Sequence, residues 1–239
     1  MSGNQIKTIA CVTMLIDHIG FLLFPKLLIL RYIGRISMPL FAFLIAEGCR
    51  YTRSKSRYFA SVFSLAVLCQ LVYLAEDLLD GTLDRVYLNI LFTFSLSILI
   101  CFAYLRWNEA ASSLSGHGTW GYLFLLFGAL TLAIVCCTQL DDLFGIPVVV
   151  DYGIAGVFLP VFAIIFADKE RQLPLYTVGV AVFALLLCED ISYIWFSLLT
   201  IPLIACYSGL RGKKQLKLCF YLFYPVHFAI LYLIKMIAF

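Results

Sequence analysis

The sequence has little charge and lacks the patterns by which soluble proteins bind metals or form disulfides. Charged residues make up 13% of its 239 residues, against about 25% in soluble domains. The nine cysteines show no C-x-x-C or Cys/His spacing, which favours small buried side chains over metal ligands or disulfides. No small-x-small cleavage site follows the first apolar run, and there is no internal repeat or low-complexity stretch. We therefore expect that run to be retained and residues 1–239 to form a single domain.

Apolar surface is present in excess. Hydrophobic residues account for 63% of the chain and its mean hydropathy is +1.00. A water-soluble globule of this size cannot bury so much apolar surface, so we expect lipid to be the solvent. The predicted fold is all-α, a polytopic bundle of about nine transmembrane helices. The spans are predicted at roughly 6–24, 28–48, 58–75, 87–105, 120–138, 147–167, 174–188, 193–207 and 216–237.

Charges between the spans alternate in sign along the chain. Basic residues follow spans two, four, six and eight, namely Arg50, Arg53, Lys55, Arg57, Arg106, Lys169, Arg171, Arg211, Lys213, Lys214 and Lys217. Acidic residues lie in the other connections, namely Glu76, Asp77, Asp80, Asp84, Asp141, Asp142, Glu189 and Asp190. The positive-inside rule then predicts a multi-pass inner-membrane protein with a cytoplasmic N-terminus and an external C-terminus.

The basic run at 50–57 has more than one interpretation. In a soluble protein it could bind nucleic acid, but beside a membrane we interpret it as a topology determinant. Anionic lipid or the phosphates of a coenzyme are then its expected ligands, and we expect no nucleic-acid partner.

Two charged pairs interrupt the first two spans. Asp17 and His18 are adjacent in span one, and Arg31 and Arg35 are four residues apart in span two. A charge in a hydrocarbon span costs roughly 2.5–3.5 kcal/mol at mid-depth, which makes such residues functional candidates. The i, i+4 spacing predicts that both guanidinium groups lie on one helix face, where they can bind phosphate or carboxylate. Asp17 and His18 diverge by about 100°, so one can orient a neighbouring helix while the other faces substrate. The alternative is that Asp17 only neutralises an arginine.

Other residues within the spans suggest a kinked, polar interior. Pro39 has no N–H, so the carbonyl of Arg35 loses its usual partner and we expect a kink there. Five further residues are candidates for lining a site: Glu47, Asp151, Tyr152, Tyr224 and His227. For Glu47 we favour an ion pair with an arginine over an acid–base role. For His227 a helix-to-helix hydrogen bond and a site role both stay open, while His117, in a glycine-flanked loop, is expected to be solvated.

Five sequence blocks, in order from the first span to the last, resemble the TraX family. They are TMLIDHIG (13–20), RYIGRISMPLFAFLIAEG (31–48), DYGIAGV (151–157), YSGLRG (207–212) and FYLFYPVHFAILY (220–232). That family is named for the conjugation protein that acetylates the N-terminus of pilin. It is also similar to integral-membrane acyltransferases of the acyltransferase-3 type, whose helix-one histidine and R-x-x-x-R pair correspond to His18 and to Arg31 with Arg35.

The resemblance implies transfer of an acetyl group from acetyl-CoA, without a metal. The acceptor would be an amine or hydroxyl reached from the outer face, on a pilin-like peptide N-terminus or a cell-surface glycan. His18 is then the expected catalytic base, Asp17 tunes it or binds the arginines, and Arg31 with Arg35 hold the donor's phosphates or the oxyanion. Two other functions stay open: a transporter or binding protein for an anionic solute, and a structural subunit of a conjugation or secretion system. The lack of an inverted repeat disfavours the transporter.

Overall fold

The computed structural model describes residues 1–80, 85–112, 119–139, 147–187, 190–210, 212 and 217–238. Within these ranges the chain is nearly all helical. The helices are α1 (Gly3–Leu22), α2 (Leu28–Gly34), α3 (Ser37–Tyr51), α4 (Lys55–Asp80), α5 (Ile90–Ser112), α6 (Thr119–Thr138), α7 (Gly153–Ile164), α8 (Lys169–Leu186), α9 (Ile191–Leu198), α10 (Thr200–Ala205) and α11 (Lys217–Ala238). The two strands are β1 (Val86–Leu88) and β2 (Val148–Val150).

Some of the predicted loop charges fall beyond the part of the chain that the structure describes. These are Asp84, Asp141, Asp142, Glu189, Arg211, Lys213 and Lys214, and His117 lies outside it too. The side chains of Glu76, Asp80 and Lys217 are also outside the description.

Six helical segments of the described chain are long and apolar enough to cross a membrane. They are Gly3–Leu22, Leu28–Tyr51, Lys55–Leu79, Ile90–Ser112, Thr119–Thr138 and Cys219–Ala238, which correspond to predicted spans one to five and nine. Helices satisfy their own backbone hydrogen bonds, as lipid requires. The prediction of a membrane protein built mainly of helices is therefore confirmed.

The remaining three predicted spans are shorter or more polar. Spans six and eight correspond to the apolar segments Gly153–Ile164 and Ile191–Ala205. Span seven falls on α8, whose first turn carries the charged residues Lys169, Glu170 and Arg171. The nine-span arrangement thus stays a prediction.

Two predicted spans begin as strands and not as helix, which corrects the all-helical prediction locally. β1 and β2 pair in parallel, with Val86 opposite Val148 and Leu88 opposite Val150. Three consecutive β-branched valines in β2 favour extended backbone, and the pairing supplies their hydrogen-bond partners. Asn89 ends β1 because its side chain accepts from the N–H of Leu91 at 3.1 Å, at the start of α5.

By its internal contacts the chain forms two compact units. The first comprises residues 1–44 and 169–239, and the second comprises residues 45–168. In the first unit α1 packs against α2 and α11, while α9 packs against α2 and α8. Its core includes the buried Tyr176, whose hydroxyl donates to the carbonyl of Pro39 at 2.5 Å.

The second unit is built around α5, which packs against α4, α6 and α7. Its core contains Ile100, Ala133 and Val157, from three of these helices. The hydroxyl of Ser97 donates to the carbonyl of Val157 at 2.8 Å, tying α5 to α7. These contacts define the unit's interior and leave one side of α6 exposed, as expected for a helix that faces lipid.

The second predicted span is interrupted where Pro39 predicts a kink. α2 ends at Gly34 and α3 begins at Ser37, so the break falls at Arg35 and Ile36. Pro39 cannot donate to the carbonyl of Arg35, which removes the hydrogen bond that would join the two helices. The predicted kink therefore coincides with a break in the helix, which leaves Arg31 within α2 and Arg35 at its C-cap.

Candidate functional site

The candidate site lies in the first unit, where α1 meets α2 and α11. One face of α1 carries the small or short residues Ala10, Thr13, Asp17 and Gly20, and all four are buried. Close approach is required at Gly20, because a Cβ there would lie 2.8 Å from the Cβ of Leu30. This close packing brings Asp17 and His18 against the neighbouring helices.

Asp17 forms an ion pair with Arg31. The Nη1 of Arg31 donates to Oδ2 of Asp17 at 2.6 Å and to the Asp17 carbonyl at 3.3 Å. The side chains are 12% exposed for Asp17 and 24% exposed for Arg31. The other carboxylate oxygen, Oδ1, is buried with no hydrogen-bond donor among the described residues and lies against Gly34. Asp17 thus binds an arginine, one of the two roles expected for it.

Arg35 makes a different contact. Its Cζ lies 4.6 Å from the ring centroid of Tyr193 on α9, a cation–π geometry. The Cζ of Arg31 lies 5.3 Å from the ring of Phe21 on α1. Arg31 thus bonds to Asp17 on α1, whereas Arg35, at the C-cap of α2, packs on the Tyr193 ring of α9. The expectation that the two groups clamp one ligand from a single helix face is therefore not met by a regular helix here.

Tyr32, between the two arginines, links α2 to the start of α9. Its hydroxyl donates to Oδ2 of Asp190 at 2.7 Å, and this hydrogen bond lowers the pKa of the Asp190 carboxyl. Asp190 also caps α9 by accepting from the N–H of Ser192 at 3.2 Å. Sequence reasoning treated Asp190 only as a loop charge, although an aspartate directly before an apolar helix is a typical N-cap.

His18 contacts His227, 209 positions away in the chain. Nδ1 of His18 lies 2.6 Å from Nε2 of His227. The ring planes are parallel within 2° and the centroids are 4.9 Å apart, so the rings meet edge to edge and not face to face. Nδ1 of His227 in turn lies 2.6 Å from the carbonyl oxygen of Phe223, one turn earlier in α11. The helix-to-helix hydrogen bond expected as one role of His227 is formed with the expected base.

Aromatic side chains enclose this histidine pair. The Tyr224 ring lies 5.7 Å from that of His227 and 6.3 Å from that of His18. Phe228 presents its ring to His18 at 5.5 Å and 87°. His227 is buried, at 6% exposed, whereas His18 is partly exposed. The ring of His227 is therefore anchored within the unit, and the ring of His18 keeps part of its surface exposed.

Arg31 places a cation next to this histidine pair. Its guanidinium donates to both the carboxylate and the backbone carbonyl of Asp17, the residue before His18. The ion pair with Asp17 holds that guanidinium in place, and part of its surface stays exposed. Chemically, the arrangement combines a group that can accept a proton with a fixed cation that can stabilise a developing negative charge.

Three of the candidate residues belong to the second unit. Oε1 of Glu47 accepts from Nη1 of Arg50 at 3.2 Å, so the ion pair favoured for Glu47 is confirmed. The carbonyl of Asp151 accepts from the hydroxyl of Thr93 at 2.6 Å. Tyr152 has a left-handed backbone, with φ 57°, and occupies the position directly before the first residue of α7. Each thus has a place in the folding of that unit.

Comparison with known proteins assigns the chain to a family. The family model described as TraX protein matches residues 2–235. The chain belongs to the TraX family. Over 257 aligned residues this TraX-family chain is 29% identical to the probable fimbrial assembly protein FimC, serogroup H1, of Dichelobacter nodosus, covering 98% of this chain and 96% of FimC. An uncharacterized protein of Rickettsia prowazekii (strain Madrid E) is 46% identical over 54 residues, which cover 23% of this chain and 21% of that protein. No solved structure matches.

The TraX match spans every residue of the candidate site. It also includes two site features that sequence reasoning missed, Gly34 and the carbonyl of Phe223. Gly34 lies between the two arginines in the sequence. A glycine beside charged residues in a membrane span indicates that another group can approach the backbone closely, so this residue could have been identified. A backbone carbonyl leaves no such signal, and Phe223 was not identifiable from sequence.

Proposed function

We propose that this protein is an integral-membrane acyltransferase of the inner membrane. It transfers an acetyl group from acetyl-CoA to an amine or hydroxyl of an acceptor reached from the outer face. The observation that carries the proposal is the partly exposed His18, bonded to a buried histidine and adjacent in sequence to the Asp17 of the Asp17–Arg31 ion pair. The name of the relative FimC, a probable fimbrial assembly protein, supports a pilin-like peptide N-terminus as acceptor, with a cell-surface glycan as the other candidate.

In the proposed reaction His18 is the general base. It takes the proton of the acceptor N–H or O–H while that atom attacks the thioester carbonyl carbon. The new C–N or C–O bond forms, the C–S bond breaks, and the departing thiolate of coenzyme A receives the proton from His18. A positioned base of this kind contributes about 10²–10⁴-fold to the rate.

Arg31 and Arg35 are the proposed donor-binding residues. A guanidinium presents several N–H groups in a plane and suits both phosphate oxygens and a thioester oxyanion. Arg31 is held by Asp17 yet keeps about a quarter of its side chain exposed, at 24%. Arg35 is partly exposed and rests on Tyr193. We propose that Arg31 stabilises the oxyanion and that Arg35 contacts a phosphate of the donor.

We also propose the nine-span topology with a cytoplasmic N-terminus. The parallel pairing of β1 with β2 supports it, since spans four and six must then run in the same direction. Lys169, in the connection between spans six and seven, donates to the carbonyls of Ala205 and Tyr207, at the end of span eight, at 2.5 and 2.9 Å. The Lys169 contacts thus join chain segments that the topology assigns to the cytoplasmic face. The Tyr32–Asp190 hydrogen bond joins the start of span two to the connection between spans seven and eight, both assigned to the outer face.

The test of the enzyme is release of free coenzyme A by purified protein, supplied with acetyl-CoA and an extract containing the acceptor. His18→Ala should lower the rate by about 10²–10⁴-fold, the contribution of a general base. Mass spectrometry of the acceptor should show the loss of one acetyl mass in parallel. His117→Ala is the matched control, because it removes an imidazole that lies between two glycines in the sequence and outside the predicted spans. A well-folded His18→Ala protein with full transfer activity would contradict the assignment.

The same assay separates the alternatives. Exchange of a labelled anion across vesicles without release of thiol would support a transporter. A structural subunit would be supported if His18→Ala prevented assembly into a larger complex while neither protein, wild type or variant, released coenzyme A.

A further inference from the structure

The Phe223 carbonyl determines where the proton of His227 lies. A carbonyl oxygen has only lone pairs and can only accept a hydrogen bond. Nδ1 of His227 lies 2.6 Å from that oxygen, so Nδ1 must carry the hydrogen. A neutral imidazole has one N–H, and Nε2 of His227 therefore presents a lone pair.

The lone pair of His227 determines the tautomer of His18. Nε2 of His227 faces Nδ1 of His18 at 2.6 Å, in a shared ring plane. A contact this short between two ring nitrogens needs one hydrogen between them, and the neutral His227 has none to give at Nε2. Nδ1 of His18 must donate. The free lone pair of His18 is then on Nε2, the nitrogen opposite His227.

We propose that His227 is a positioning residue that makes Nε2 of His18 the base. This inference rests on the proposed function. The acceptor's proton goes to Nε2 and later leaves from Nε2 to the thiolate, while the hydrogen on Nδ1 stays between the two rings. During that interval His18 is an imidazolium, and the lone pair of His227 accepts from it a hydrogen bond that strengthens with its charge.

The groups around His18 explain why a second histidine has this role. A carboxylate is the common partner of a catalytic imidazole. Asp17 is adjacent in sequence, but its side chain diverges from that of His18 and binds Arg31 at 2.6 Å. From α2 the charged neighbour is Arg31, and from α11 the neighbours are His227, Tyr224 and the apolar Phe228. Of these groups, His227 is the one seen bonded to Nδ1.

The direct test is ¹⁵N NMR of histidine-labelled protein in detergent or nanodiscs. The chain has three histidines, and His117→Gln leaves only the pair. At a pH where both rings are neutral, we expect hydrogen on Nδ1 of both and none on either Nε2. Hydrogen on Nε2 of His18 would overturn the inference. This readout needs no substrate, so it stands or fails separately from acyl transfer.

The kinetic test compares two substitutions of His227. Glutamine places an amide oxygen where it can accept from Nδ1 of His18, whereas alanine offers no acceptor. We expect His227→Gln to stay within about 10-fold of wild-type kcat and His227→Ala to lose about 10²-fold or more, with little change of KM in either. Equal losses in both variants would contradict positioning by an acceptor. If NMR shows the expected tautomers but the purified protein never releases coenzyme A, the proposed function is rejected. The inferred hydrogen bonding of the two histidines then still holds.

Discussion

Gly34 is packed directly against the carboxylate that holds Arg31. A Cβ at this position would overlap Asp17, whose Oδ1 is the nearest atom. Alanine normally stabilises a helix relative to glycine by about 1 kcal/mol. At Gly34 we expect the opposite sign, a loss of about 1–3 kcal/mol, because overpacking forces Asp17 and α2 apart. Thermal unfolding of the Gly34→Ala protein in detergent measures this loss of stability. The rate of coenzyme A release should also fall, because Arg31 loses its hydrogen-bond partner.

Gly128 provides the matched control for this substitution. It also lies in a helix, α6, but nothing would lie within 4 Å of a Cβ added there. Gly128→Ala should leave the melting temperature unchanged or raise it slightly. If both variants behave alike, the close packing of Gly34 on Asp17 does not contribute to stability.

At the level of residues, the sequence indicated which side chains matter but not which of them pair. The free-energy cost of a charged or titratable group in the hydrocarbon region identified Asp17, His18, Arg31 and Arg35 as functional candidates. Choosing Arg31 over Arg35 as the partner of Asp17 depends on the break at Arg35 and on the absence of a side chain at Gly34. The bond to His227 joins positions 209 apart, and no local pattern encodes such a contact.

Among the helices, Arg50 closes the C-terminal end of α7. Its Nη2 donates to the carbonyls of Ala163, Ile164 and Phe166 at 3.2, 3.0 and 2.6 Å. The last carbonyls of any helix lack a donor from the helix itself, and here Arg50 supplies one. Nη1 meanwhile pairs with Glu47 at 3.2 Å, and the two side chains are only 12% and 10% exposed. A single guanidinium thus neutralises a buried carboxylate and caps a helix.

We predict that Arg50→Met destabilises the protein by about 3–5 kcal/mol, because it leaves the buried Glu47 unpaired. The matched control is Arg106→Met, since Arg106 pairs with Glu109 at the same i, i+3 spacing but with 52% and 61% exposure. Its expected cost is about 0–1 kcal/mol. Chemical unfolding monitored by tryptophan fluorescence compares them. The double variant Glu47→Met, Arg50→Met should recover part of the loss, and equal costs at Arg50 and Arg106 would show that burial of the pair is unimportant.

Elements were predictable where a long apolar run made helix the simplest structure. The six long helical segments arise from such runs, and Pro39 marked the break between α2 and α3. Strands β1 and β2 were missed because each has three residues and acquires its stability from a partner about 60 positions away, Val86 with Val148. Apolar composition alone cannot separate a short buried strand from the first turn of a helix.

On the scale of the whole molecule, the direction of each span through the membrane is the property on which the proposed function depends. An acceptor reached from outside and a donor supplied from the cytoplasm require Arg31, Tyr32 and Asp190 to lie toward the outer face. If only the six long helices crossed, the C-terminus would be cytoplasmic; if nine spans cross, it is external. The position of the C-terminus therefore distinguishes the two arrangements.

Reporter fusions measure this directly, since alkaline phosphatase is active only outside the cytoplasm and green fluorescent protein folds well inside it. We expect phosphatase activity for fusions after residues 83, 142, 189 and 239, and fluorescence for fusions after residues 53, 115, 168 and 212. The reason is the excess of lysine and arginine in the second set of connections, which the membrane potential and anionic lipid retain in the cytoplasm. Each fusion site is its own control, because the two reporters must give opposite signals there. Fluorescence at residue 239 together with phosphatase activity at residue 83 would reject nine spans. Spans one and two run the same way in both arrangements, so that result would leave His18 and Arg31 toward the outer face and would reverse only the direction of the last helix, which carries His227.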